Sequence, residues 1–100
     1  MTSDIYLQRL VQILKEKVPE KKGYWIIGSD GKTIAGETNF FNIEPEGTSW
    51  KVYFQERGII FESYICKTEC EACVKFIKMT EDDYHLGKYL SEFEEPRKTA

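Results

Sequence analysis

Residues 50–73, WKVYFQERGIIFESYICKTECEAC, contain the change of period on which the fold turns. Trp50, Val52 and Phe54 alternate with Lys51, Tyr53 and Gln55, the period-two pattern of a strand with one buried and one wet face. Arg57-Gly58 reverses the chain, and Ile59 to Ile65 returns with Ile59, Phe61, Ser63 and Ile65 on one side and Ile60, Glu62 and Tyr64 on the other. After Cys66 the period becomes helical. Thr68-x-x-Glu71 has the form of a capping box, which predicts a helix from Glu69 to about Met79. Its inward stripe is Ala72, Cys73, Phe76 and Ile77, with Cys70 and Met79 as further candidates.

Upstream, Leu7, Leu10, Val11, Leu14 and Val18 recur at three- and four-residue steps, so Asp4 to Val18 reads as an amphipathic helix. Thr2 or Ser3 would cap it, and Pro19 followed by Gly23 would stop it. Tyr24 to Ile27 reads as a strand, Asp30-Gly31 as a tight hairpin turn with positive φ angles, and Lys32 to Ala35 as the partner strand. Gly36 to Thr48, interrupted by Pro45 and Gly47, reads as a long irregular connection. Downstream, Thr80-Glu81-Asp82-Asp83 is a second helix-start signal leading to Tyr84, Leu86, Tyr89, Leu90 and Phe93, weakened by Gly87. Short turns favour an antiparallel meander, because parallel neighbours need long crossovers. The expected fold is a single α+β domain over residues 1–100. It has a four-stranded antiparallel sheet with an N-terminal helix and C-terminal helices on one face, in the order α-β-β-β-β-α-α.

One hundred residues can bury a core without a metal or disulfides to hold it. The formal net charge of −3, with no basic block beyond Lys21-Lys22, lacks the electrostatic footprint of a nucleic-acid binder. No apolar run approaches the ~20 residues of a membrane span, and the N-terminus reads as no signal peptide, which points to a cytoplasmic protein. An odd cysteine count without an export signal points to reduced thiols.

Those cysteines, Cys66, Cys70 and Cys73, have the C-x-x-x-C-x-x-C spacing with which radical-SAM enzymes hold an iron–sulfur cluster. That chemistry needs a barrel-type scaffold of roughly 200 residues or more, and here the motif begins two-thirds of the way along a short chain. A zinc site would recruit His85, the sole histidine, as the fourth ligand to Cys66, Cys70 and Cys73, although stronger zinc signatures come as two close pairs. The packing reading accounts for more: a capping box lies across the motif, and free cysteine behaves as a small buried hydrophobe. No cofactor is expected. No phosphate-binding loop, catalytic triad order or pair of titratable groups set for acid–base work stands out, so the chain reads as a binding protein rather than an enzyme.

The segment IIFESYICKTECEACVKFIKM (59–79), a strand followed by a capped helix, resembles the closing module of small bacterial immunity proteins of contact-dependent and polymorphic toxin systems. The hairpin GYWIIGSDGK (23–32) is similar to aromatic-rich hairpins in such proteins; together the two segments cover about a third of the chain. The resemblance implies a stoichiometric inhibitor of one toxin domain, often a nuclease, encoded by a neighbouring gene. An acidic protein suits that role, since charge complementarity speeds encounter with a basic cleft. Candidate contacts are the acids Glu37, Glu44 and Glu46 with the aromatics Trp25, Phe40, Phe41, Tyr53 and Tyr64, each of the aromatics competing with a core-packing role. A regulatory or adaptor domain with another protein partner is the remaining alternative.

Overall fold

The computed structural model describes residues 4–18, 23–37 and 40–93. Helix α1 (Ile5–Lys17) is followed by strands β1 (Tyr24–Ile27), β2 (Thr33–Gly36), β3 (Phe41–Glu46), β4 (Ser49–Glu56) and β5 (Ile59–Cys66). Helices α2 (Glu69–Met79) and α3 (Glu81–Tyr84) and a 3-10 segment (Gly87–Phe93) close the described chain. The sheet has five strands in the order β2-β1-β3-β4-β5. All neighbours are antiparallel except β1 and β3, which pair in parallel through Tyr24↔Phe41, Trp25↔Asn42 and Ile26↔Ile43.

The α+β class, the N-terminal helix and the C-terminal helices match expectation, but the four-stranded antiparallel sheet does not. The extra strand is β3, inside the stretch read as an irregular connection. It is central, pairing with β4 from Phe41↔Phe54 to Glu46↔Ser49. Pro45, the residue that argued against a strand, lies beyond Ile43, the last β3 residue in register with β1. A missing N–H therefore removes no ladder bond on the β1 side. The parallel pairing follows from the insertion: the connection leaves the far edge at β2 and returns across β1.

The hairpin turns obey φ rather than the dipeptide alone. At Ser29-Asp30-Gly31 only Gly31 is positive, at φ 81, and the β1–β2 register shifts between Ile26 and Ile27. Arg57-Gly58 is the turn in which both residues are positive, at φ 54 and 79, as a two-residue turn matched to strand twist requires.

Alternation places Tyr24, Ile26, Phe41, Ile43, Trp50 and Val52 on the helix-covered face of the sheet, where they join Leu7, Leu10, Leu14, Cys73, Phe76 and Ile77 in one core. Phe41 ties the layers together, meeting Phe54 at 5.2 Å, Tyr84 at 5.6 Å and Phe76 edge-on at 6.3 Å between centroids.

The capping box operates with one difference. The Thr68 hydroxyl accepts the Glu71 N–H at 3.1 Å, whereas the Glu71 carboxylate accepts from Lys67 N–H at 2.9 Å. The second helix-start signal gives only the single turn of α3. Thr80 is buried and turns its hydroxyl back onto the carbonyls of Phe76 and Ile77, and His85 ends the turn in a left-handed conformation. The expected capping by Thr2 or Ser3 and the stop at Pro19 fall outside the described residues.

The start of α1 is held from a distance. Asp4 makes no cap bond and instead accepts the Ser29 N–H at 3.2 Å, and Glu69 accepts the Leu7 N–H at 2.8 Å. Burial, with the Asp4 charge nearby, raises the Glu69 carboxyl above its ordinary value against the lowering effect of its N–H donors. A carboxyl raised in the folded state contributes stability that is present below the ordinary value near 4.5 and is lost as pH rises through the folded value. Glu69→Gln, which keeps the acceptor without the charge, is thus expected to match or exceed the parent at pH 7 and to lose this pH dependence. Glu69→Ala strands the N–H groups and should cost about 1–2 kcal/mol. Urea titrations at pH 4 and pH 7 measure both effects.

Candidate functional site

One register row crosses the sheet through Trp25, Asn42, Tyr53 and Ser63. Each is offset by one residue from the core-facing row Ile26, Ile43, Val52 and Tyr64, so the row lies on the face opposite the helices. Tyr53 is 9% exposed yet lies outside the core cluster, and Asn42 between the two aromatics is only 1% exposed. Large rings on both neighbouring strands shield the short amide, which gives the face a stiff aromatic-and-amide centre. The expectation of a wet face at Lys51, Tyr53 and Gln55 is corrected for Tyr53 by this packing.

Charges border the row. Tyr53 donates its hydroxyl to Glu44; burial raises the phenol and the Glu44 carboxylate adds to the shift. Lys51, opposite Glu44 in the register, holds its ammonium 4.9 Å from the centre of the Tyr53 ring. Trp25, Ile27, Asp30, Glu44 and Pro45 line a shallow depression next to the row. An aromatic wall with carboxylates at its rim offers a cation both a π-face and opposite charge.

The structure gathers three of the sequence candidates, Trp25, Glu44 and Tyr53, and places Glu46 on the same face at the end of β3. It does not gather the rest. Phe41 is a core residue under α2, and its selection as a contact is corrected on that ground. Tyr64 is on the helix-side face of the edge strand β5, beneath the Lys75 ammonium at 4.1 Å. Phe40 is exposed just before β3, and Glu37 is exposed just after β2. Asn42, Lys51, Asp30 and Ile27 went unrecognised. Asn42 and Lys51 gain their meaning from β3, which joins the two aromatics.

The cysteine alternative gains no support from geometry. Cys66, Cys70 and Cys73 are buried thiols in no disulfide, and Cys70 donates its Sγ–H to the Phe93 carbonyl. Burial pushes the Cys66 thiol up and the Cys73 thiol well up, the opposite of what an activated nucleophilic thiolate needs. His85 is exposed at the end of α3, and among the described residues no three Cys, His, Asp or Glu side chains are grouped to hold a metal ion. No described helix is long and apolar enough to cross a membrane.

Comparison of the chain with protein-family models, curated proteins and solved structures returns no match.

Proposed function

We propose that the chain is an immunity-type protein that neutralises a cognate toxin domain of the nuclease kind by stoichiometric binding through the sheet face opposite its helices. The carrying observation is the row Trp25, Asn42, Tyr53, with Asp30 and Glu44 at the rim of the adjoining depression. Tyr and Trp are the side chains that most often dominate interface energetics, and a sheet positions them more firmly than a loop does. Nuclease clefts carry lysine and arginine to hold phosphate. One such side chain would lie against Trp25 with its charge between Asp30 and Glu44, occupying a group the toxin needs for its own substrate. The net charge of −3 supports attraction before contact.

The test uses the product of the neighbouring gene as ligand in calorimetry and in a nuclease-inhibition assay. Trp25→Ala is expected to weaken binding by about 2 kcal/mol or more, roughly thirty-fold. Glu44→Lys should slow association and reduce its salt dependence, while Asp82→Lys, on the exposed surface of α3, should leave dissociation unchanged. A neighbouring gene product that does not bind, or a complex indifferent to both sheet-face variants, removes the reading.

A further inference from the structure

The two edges of the sheet are built differently. On one side β2 is four residues long, whereas on the other β5 runs for eight and, among the described residues, pairs only with β4. Natural edge strands are kept from pairing by shortness, by lysine, by proline or by a bulge; the one irregularity in the β4–β5 ladder leaves Phe61 as the extra residue, so the regular part of this edge is Glu62–Cys66. Ile59–Cys66 contains neither proline nor lysine, and Glu62 is its only charge. Ile59, Phe61 and Ile65 are each about 60% exposed, and Ile60 and Tyr64 are exposed beside them. A run of large apolar residues on an open backbone edge is a template for another strand.

We infer that this edge is completed by β5 of a second copy of the chain, antiparallel about a two-fold axis through Ser63 and normal to the sheet. The strand is complementary to its own reverse in that register. Glu62 comes opposite Tyr64 of the second copy, and Ser63 opposite itself. Within one chain the Tyr64 hydroxyl donates to Glu62 at 3.3 Å, and Lys75 stands over the Tyr64 ring at 4.1 Å. Tyr64, Glu62, Lys75 and Lys78 line one groove between β5 and α2. Glu62 of the second copy, arriving opposite Tyr64, therefore comes beside two lysines, and the symmetry repeats the contact. Moving the axis to Glu62 would instead set carboxylate directly against carboxylate, which is unfavourable. An axis normal to the sheet keeps both helix layers on one side and leaves both Trp25–Tyr53 rows clear.

Sedimentation equilibrium across a concentration series is expected to give twice the monomer mass of 11.7 kDa. Glu62→Lys should raise the dimer dissociation constant about ten-fold, by turning two attractions into repulsions. Adding Lys75→Glu to that variant should restore much of the loss. Ser63→Cys should form a covalent dimer under mild oxidation, because directly opposed antiparallel residues have Cα atoms about 4.5–5.5 Å apart, within the span of a disulfide. Ile65→Cys should not link to itself. Circular dichroism on each variant separates lost association from lost folding. A parent protein that is monomeric throughout, a dimer insensitive to Glu62→Lys, or a folded Ser63→Cys variant that stays uncrosslinked overturns the inference. A strand supplied only by the toxin would appear as the first of these outcomes.

Discussion

Phe76→Ala is expected to lower the free energy of unfolding by about 3–5 kcal/mol, the cost typical of removing a buried phenylalanine ring. Phe76 is fully buried on the sheet-facing side of α2, and its ring is the edge-on neighbour of Phe41. Phe41 in turn meets Phe54 and Tyr84, so the ring that would vanish supports a chain of aromatics joining α2 and α3 to the sheet. Surrounding groups that are themselves large and interlocked relax poorly into the space, which places the cost in the upper part of the range. Domains of this size carry about 5–15 kcal/mol in total, so the variant should approach the folding threshold at body temperature. Urea denaturation measures the loss, with Ile5→Ala at an exposed α1 position expected to stay within about 0.5 kcal/mol. A loss below about 1.5 kcal/mol for Phe76→Ala would mean that the α2–sheet contact is not the core of the molecule.

Gly36→Ala is expected to be the most damaging of the single-methyl additions, at about 2–4 kcal/mol. Gly36 ends β2 opposite Trp25 with φ at 118, a conformation that side-chain-bearing residues rarely adopt. A methyl group there would also be driven into β1 backbone, 2.7 Å from the Trp25 Cα and against the Tyr24 carbonyl. Backbone cannot rotate away as a side chain can, so β2 must separate from β1. The matched control is Gly31→Ala, where nothing lies within 4 Å of the added methyl and only the φ of 81 opposes it. Measuring both variants by urea denaturation separates the collision from the conformational cost.

The elements legible in the sequence are those whose signals are local. The α1 stripe, the β4 alternation and the Thr68 cap each depend on residues within a few positions of one another, and each occurs close to where it was expected. β3 was illegible because its evidence is non-local. Phe41–Glu46 contains asparagine, proline and two glutamates, a poor strand by propensity, and it becomes one because β1 and β4 present edges on either side. The same gap limited the site. Trp25 and Tyr53 could be named from composition, but that Asn42 joins them follows only from a strand that propensity hides. The tail after α2 failed differently: the left-handed His85, followed by Gly87, divides one expected helix into a turn of α3 and a 3-10 segment.

The parallel pairing of β1 with β3 spans three residue pairs, as does the β1–β2 hairpin, whereas β3, β4 and β5 are joined by longer antiparallel ladders. The sheet is therefore two locally formed pieces meeting at a short seam, with Trp25 on one piece and Tyr53 on the other. An opening that separates the two pieces should run along that seam, since a tight turn joins β1 to β2 but none joins β1 to β3, in the manner of cooperative units that exchange amide hydrogens together. A ligand that touches both aromatics acts as a clasp across the junction, and its binding energy adds directly to the cohesion of that seam.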